Sequence, residues 1–406
     1  MQKKAFLQLL ILALVPFIMV LGNSMLIPVL PQAQKSMGIS RLQVGLLITL
    51  FSLPAGLTIP LAGFLADRLG RKKVLIPALI LYGAGGLIAG LAASLIKKPY
   101  LLVLAGRIVQ GAGAAGTAPV AMALVGDIFT SNERSKALGM LESANGLGKV
   151  VSPIAGALAG LVSWYLSFYI FPALTLPVAA AIAFFVPEPG KNNNNQKNLP
   201  SYWATLKSIW QQKGMALTTA FAAGAASLLV LFGLLFLLSD RLEETFAVNG
   251  LRKGFYIALP VLVMAVTSYT SGYILQKKIQ LTKGAVICGL LLAAAGIGAL
   301  YFFDHRLLPS LLTASLTGMG TGITLPALNT LVTSSVAPQE RGMISALYGG
   351  VRFLGVAAGP PIFARLMEAG QAAPSLGGGL MLLTAALLVL FFMKRHILLP
   401  PSPSPA

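Results

Sequence analysis

Arg107-Ile-Val-Gln110-Gly111-Ala-Gly113-Ala-Ala-Gly-Thr117-Ala-Pro119 returns later in the chain as Ala314-Ser-Leu-Thr317-Gly318-Met-Gly320-Thr-Gly-Ile-Thr324-Leu-Pro326. Gly111, Gly113, Thr117 and Pro119 each recur 207 residues on, at Gly318, Gly320, Thr324 and Pro326. Outward from this stretch the same offset of 207 carries Glu133-Arg134 onto Glu340-Arg341, Gly148 onto Gly355 and Pro153 onto Pro360. Chance gives one or two such matches, not a gapless series. The chain is therefore read as two copies of one unit.

Each copy is built of apolar runs. A membrane-spanning helix needs ~20 mostly apolar residues. Twelve such runs are present: Leu7–Leu30, Gln43–Ala66, Val74–Leu95, Leu101–Ile128, Ala137–Leu161, Tyr165–Val186, Met215–Leu238, Phe255–Leu275, Ala285–Phe303, Leu307–Val332, Met343–Met367 and Gly377–Met393. They are numbered as spans 1–12. Six spans per copy make the second copy enter with the orientation of the first. Such a parallel repeat is typical of alternating-access carriers, with the substrate site between the halves near mid-membrane. The expected fold is all-α, with two pseudo-symmetric six-helix bundles.

Composition agrees. Of 406 residues, 56% are hydrophobic and 10% charged, and the mean hydropathy is +0.81. Soluble domains carry ~25% charged residues, so a water-soluble enzyme is excluded, as is a disordered chain. The net charge of +19 would suggest nucleic acid in a soluble protein. Here the cations lie in short gaps between apolar runs, which points to the membrane surface and no nucleic acid. With the N-terminus inside, inner segments hold 18 of the 30 Lys and Arg residues, outer segments 8 and the spans the other 4. The expectation is a multi-pass protein of the cell's inner (plasma) membrane, a monomer, with both termini cytoplasmic. Cys288 stands alone, His305 and His396 are isolated, and no metal or cofactor is expected. After Lys3 and Lys4 the first apolar run is too long for a cleavable signal.

The boundaries follow. Residues 1–186 form the first bundle and 187–214 an inner linker. Residues 215–395 form the second bundle and 396–406 a Pro/Ser tail expected to be disordered. In the linker, Asn192–Asn195 is polar, while Trp203, Leu206 and Trp210 share one helical face. That face predicts an amphipathic helix lying on the inner membrane surface.

Between spans 2 and 3 stands Gly63-Phe-Leu-Ala-Asp67-Arg68-Leu-Gly70-Arg71-Lys72. It resembles the signature loop of the major facilitator superfamily. A glycine lets a neighbouring helix approach closely, and an aspartate amid cations stays ionised and paired. The resemblance implies an inner latch between the halves, in which Asp67 pairs with Arg71 under support from Asp127 at the end of span 4. The second-half counterpart, Gly272-Tyr-Ile-Leu-Gln276-Lys277-Lys278, has glutamine for the aspartate, which weakens a second latch. Arg107-Ile-Val-Gln110-Gly111 resembles the span-4 motif of proton-coupled members, where the arginine is implicated in proton transfer. Gly146, Gly148, Ser152, Pro153 and Gly156 resemble the span-5 motif of drug:proton antiporters, with serine in place of one glycine. Span 11 carries Gly359-Pro360. These small residues are expected to allow tight packing against the opposite half and sealing of the outer side.

Four charges stand out inside spans and away from the interfaces: Arg107, Glu142, Lys149 and Arg352. At ~2.5–3.5 kcal/mol each they cost on the order of 10 kcal/mol if they face lipid. A whole domain is stable by only ~5–15 kcal/mol. They are therefore expected to face a wet chamber or one another. Two functions fit. Glu142 in a low-dielectric chamber serves as the proton site. Arg107, Lys149 and Arg352 bind an anionic substrate or headgroup. The bland alternative is a fixed buried network holding helices together. Span 1 has no acid, only Asn23 and Ser24, which argues against lipophilic cations as cargo. Asn145 aligns with Arg352 in the repeat, and Asn23, Asn145, Tyr269 and Asn329 complete the candidate substrate-binding set.

The resulting expectation is a secondary carrier that exports an amphipathic neutral or anionic compound, coupled to protons. Rivals are an uptake carrier for an organic anion and a non-transporting receptor or scaffold. An intramembrane hydrolase needs a nucleophile with a positioned base, and no convincing acid–serine or mid-span histidine arrangement supplies one.

Overall fold

The computed structural model describes residues 3–129, 131–188, 199–303, 305–337, 340–393 and 398. Among these, twelve long helical spans follow one another. They are α1 (Lys3–Ser24), α2 (Arg41–Leu69), α3 (Arg71–Leu95), α4 (Tyr100–Ile128), α5 (Ser131–Gly160) and α6 (Leu166–Phe185) in the first half. The second half has α7 (Leu199–Glu244), α8 (Gly250–Lys277), α9 (Thr282–Ala299), α10 (Leu307–Ser334), α11 (Arg341–Ala369) and α12 (Ala373–Phe392). Eleven are long and apolar enough to cross a membrane. The twelfth, α5, is thirty residues long and stands apart because Glu142, Asn145 and Lys149 interrupt its apolar surface. After Ser24, α1 passes through a tight turn (Ile27–Val29) into a short helix, Leu30–Met37. Within α4 the helix breaks between Ala115 and Ala118.

The repeat shows in the packing. Lipid tails are as apolar as leucine, so helices in a bilayer associate by close backbone approach at small residues. A Cβ on Gly111 would collide with the Phe51 carbonyl of α2, and one on Gly318 with the Pro260 carbonyl of α8. Likewise Gly113 abuts the Tyr82 amide of α3, and Gly320 the Gly289 carbonyl of α9. The repeated glycines thus do the same work in both halves. Gly111→Ala is expected to destabilise by about 1–3 kcal/mol through overpacking against backbone. At Gly139 nothing lies within 4 Å of an added Cβ, so alanine there should be neutral or slightly stabilising. Thermal unfolding in detergent compares the two; equal shifts would refute the close-approach argument.

Two seams join the halves: α2 packs along α11, and α5 along α8. The offset maps α2 onto α8 and α5 onto α11, so the seams are pseudo-symmetric. Gly56 and Gly350 cross back to back, and the Thr49 hydroxyl donates to the Ala357 carbonyl at 2.7 Å. On the other seam Gly254 of α8 lies against the Pro153 carbonyl and Ala157.

The linker departs from expectation. The face carrying Leu206 and Trp210 is no separate surface helix but the start of α7, which runs 46 residues without interruption. Pro200 occupies its first turn, where a missing N–H costs nothing, and nothing helix-breaking follows before Gly214. Trp210 stacks edge-on to Phe221 of the same helix at 5.8 Å, and Lys213 donates to the Ser335 carbonyl at 2.5 Å. Asn192–Asn195 and nearly all of the tail lie outside the described residues.

Candidate functional site

The contacts of α5 set its rotation. Gly148 lies against Phe17 of α1 and Gly156 against Met25 just beyond it, and Pro153 and Ala157 lie against α8. Leu147 and Leu158 point out, 59% and 48% exposed. At 100° per residue, Glu142, Asn145 and Lys149 then fall on the side between α1 and α8, away from the lipid-facing leucines. Lys149 is half-buried and Glu142 exposed. In the second half, α11 touches α7 through Tyr348, Gly355 and Gly359 and touches α2 through Gly350 and Phe353. Arg352 sits one turn beyond Tyr348, its guanidinium carbon 5.4 Å from that ring.

Glu142 and Lys149, seven residues apart, share one face of α5 two turns from each other. By the repeat, Asn145 and Arg352 occupy equivalent depths in the two halves. Asn145 Oδ1, Arg352 Nε and the Tyr348 hydroxyl are buried without a hydrogen-bond partner. Gly146 and Gly349 face open space, with nothing within 4 Å of an added Cβ. Three buried polar atoms without partners, Asn145 Oδ1, Arg352 Nε and the Tyr348 hydroxyl, thus stand at this depth of α5 and α11.

Arg107 stands elsewhere. It is fully buried inside the first half, with 0% exposure. Its Nε donates to the Leu47 carbonyl at 2.8 Å, and its two terminal nitrogens donate to Gln110 Oε1 at 2.7 Å and Asn23 Oδ1 at 2.8 Å. Asn23 in turn donates to Ser52 at 2.5 Å, and the guanidinium lies 4.4 Å over the Phe51 ring. The network ties α1, α2 and α4 together through neutral acceptors. The expectation that all four intramembrane charges share one chamber therefore needs correcting: Arg107 and Asn23 form a separate buried knot inside the first half. Tyr269 also lies elsewhere, on the outward stripe of α8 with Phe255, Leu262, Val266 and Tyr273, all exposed. Asn329 is exposed near the inner end of α10.

At the end of the bundle expected to be inner, Arg71 pairs with Asp67 and, at 3.2 Å, with Asp127. Gly70 caps α3 with φ +114°, and the Glu188 carboxylate fills the space beside it, accepting from the Lys72 amide at 3.0 Å. Lys72 Nζ also donates to the Ala183 and Val186 carbonyls. Arg68 is exposed. All these partners belong to the first half. Across the inner seam, Gly63 has Ala346 of α11 at 3.9 Å from an added Cβ.

The charges that cross the halves lie at the opposite end, the one expected to be outer. Lys35 pairs with Glu243 at 2.7 Å, and Arg41 with Glu244 at 2.6 Å and Asp240 at 3.3 Å. Glu243 also takes Lys253, 2.9 Å away and only 3% exposed in its side chain. The Ser239 hydroxyl donates to the Ile27 carbonyl at 2.7 Å across the same join. On the outer side Gly359 packs on α7 beside Gly233, and Pro360 lies 3.3 Å from a Cβ on Gly45 of α2. At this end the halves are held together. Sequence reading missed this cluster by treating outer charges only as topology. The available signal was sign: the first outer loop is purely basic, while the end of α7 holds three acids within five residues.

Comparison with known proteins gives the family. The profile described as Major Facilitator Superfamily matches residues 12–360 and again 242–405. The chain belongs to the major facilitator superfamily. Within it, the chain is 39% identical over 359 residues to the bacillibactin exporter of Bacillus subtilis (strain 168), covering 88% of this chain and 89% of that one. It is 28% identical to the multidrug efflux protein YfmO of the same organism (86% and 83% covered). It is 27% identical to the class C tetracycline resistance protein of Escherichia coli (86% of each). The solved bacterial homologue of the human lysosomal transporter Spinster, inward-facing and occupied, superposes with a TM-score of 0.79 at 19% identity, covering 99% of this chain and 100% of that one. That likeness shows the fold. The protein is a multi-pass membrane member of the superfamily.

Proposed function

We propose that this superfamily member is a proton-coupled exporter of an amphipathic compound with acidic character, working in the plasma membrane with both termini cytoplasmic. The observation that carries the reading is the near-full-length likeness to the bacillibactin exporter; YfmO and the tetracycline protein point the same way. The cargo is a small amphiphile of the kind those relatives are named for. It enters the inner-facing chamber between α5 and α11, and the halves then rock about the α2–α11 and α5–α8 seams. The Asp67–Arg71–Asp127 cluster is the inner latch of the opposite, outward-open state.

In this scheme Glu142 carries the proton. It is exposed and shares one face of α5 with Lys149, two turns away. Loading it with a proton frees Lys149 for the substrate anion, and losing the proton restores the internal counterion. Glu142→Gln should therefore lower gradient-driven flux in proteoliposomes at least ~10-fold while sparing substrate exchange at equal pH. Unaltered gradient-driven flux would remove the assignment. Inside-out vesicles set the direction: accumulation supports export, depletion supports uptake.

A further inference from the structure

The two halves build the same loop with different electrostatics. In the first half three carboxylates surround the turn between α2 and α3. Asp67 and Asp127 pair with Arg71, and Glu188 accepts from the Lys72 amide. The matched loop puts Gln276 in the place of Asp67, and the 207-residue offset puts Ser334 in the place of Asp127 and Arg395 in that of Glu188. All three acids are gone from the second copy. The scaffold under them remains. Lys72 donates to the Ala183 carbonyl near the end of α6, and Lys283 donates at 2.9 Å to the Leu390 carbonyl near the end of α12, again 207 residues on. Lys277, Lys278 and Lys283 therefore crowd seven residues, and among the described residues no carboxylate pairs with any of them. From Phe246 to Phe303 the chain has no acid at all.

Apolar side chains stand exposed beside these cations. Tyr273 and Ile274 end the outer stripe of α8, and Ile279 and Leu281 belong to the short turn that leads into α9. Lys277 donates to the Tyr273 hydroxyl at 2.7 Å and lies 4.4 Å over its ring, which holds the cation against the apolar surface. Unpaired cations beside exposed apolar groups, at the end of a spanning helix, match a molecule with an anionic head and an apolar body. We propose that the α8–α9 loop binds the phosphate headgroup of an anionic phospholipid, which supplies to the second half the negative charge that Asp67, Asp127 and Glu188 supply to the first. The phosphate accepts from the lysine ammonium groups, and the acyl chains run along Tyr273 and Ile274 into the bilayer. A zwitterionic lipid brings its own cation to the site and gains less. The site holds whichever way the carrier moves its cargo.

The test measures which lipid comes close to the loop. Gly284→Cys, where nothing lies within 4 Å of an added Cβ, carries a fluorophore in a Cys288→Ala background. The full-length protein is placed in phosphatidylcholine bilayers doped with nitroxide-labelled phosphatidylglycerol or nitroxide-labelled phosphatidylcholine. The labelled phosphatidylglycerol should half-quench the fluorophore at about one-fifth of the mole fraction or less, since one lysine near a membrane surface changes anionic-lipid affinity about fivefold. Lys278→Gln and Lys283→Gln should each erode the preference and together abolish it, while Lys278→Arg should keep it. The Lys278 side chain is exposed, so this pair of variants tests the site without disturbing the fold. Gln276→Asp, which restores the acid of the first copy, should weaken the preference by a similar factor. Equal quenching by both lipids overturns the proposal. So does a preference that survives in Lys278→Gln/Lys283→Gln, because it would come from the net charge of +19 as a whole. A preference untouched by Gln276→Asp overturns the idea that lipid stands in for the missing acids. Displacement by millimolar glycerol phosphate would make a soluble phosphate the ligand and overturn the lipid.

Discussion

Arg107→Ala is expected to lower the stability of the first half by about 4 kcal/mol and to abolish transport. Three acceptors, Asn23 Oδ1, Gln110 Oε1 and the Leu47 carbonyl, lose their donor at once. Each buried polar group left unsatisfied costs about 1–3 kcal/mol, and the emptied volume under Phe51 adds a cavity cost. Relief from burying a cation works the other way, since exchanging buried charge for apolar bulk is often neutral or favourable. Here the acceptors remain after the exchange, so the loss prevails. Arg107→Lys should recover only part of the stability, because an ammonium point charge cannot span three acceptors from one fork. Denaturant unfolding of the purified protein, beside proteoliposome flux, checks both. A stable Arg107→Ala protein would show the knot to be dispensable for the fold. A stable protein without flux would place Arg107 in proton transfer, as the resemblance of its motif implies.

Glu243→Gln should move the resting carrier toward the outward-open state by roughly 3–5 kcal/mol, a hundredfold or more in population. The carboxylate holds Lys35 across the join and neutralises Lys253, whose side chain is 3% exposed. Without it Lys253 keeps a buried charge, and Asp240 is already engaged by Arg41. Opening the outer join hydrates that ammonium, so the strain is released by conformational change rather than by unfolding. The exposed side of the cluster counts for less: the Arg41–Glu244 pair, with Glu244 47% exposed, is worth about 0–1 kcal/mol. Ser239→Cys in the Cys288→Ala background reports the effect, since Ser239 is 1% exposed when the outside is closed. Its labelling by a membrane-impermeant thiol reagent should accelerate strongly in Glu243→Gln and only slightly in Glu244→Gln. Equal rates in all three proteins would mean that the outer ion pairs do not hold the join.

Alternation in this chain thus pairs two sets of charges with different timing. The outer set is complementary and closed here, while the inner set around Arg71 is satisfied within its own half. A carrier that opens outward must exchange the first for contacts involving the second. The pseudo-symmetric loop has glutamine at position 276, where the first half has Asp67.

What could be read from the chain alone is what depends on local pattern. Run length and the 207-residue repeat specify twelve spans in two parallel halves, because a bilayer admits only elements that satisfy their own backbone. The repeated glycines could be matched before any contact was known, and they abut equivalent helices. The 46-residue α7 was read as two pieces because amphipathic pattern reports a face but not whether the helix stops. Which charges meet was a different matter. Arg107 and Lys149 look alike in sequence, each a lone cation in an apolar run. A difference of rotation about two helix axes sends one into a knot of neutral acceptors and the other to the side of α5 between α1 and α8. Lys35 and Glu243 are 208 residues apart and become partners only because the seams bring the outer ends of α1 and α7 together. Hydrophobic pattern determined that the chain spans the membrane twelve times; helix rotation and seam packing, which no local pattern encodes, decided where its charges work.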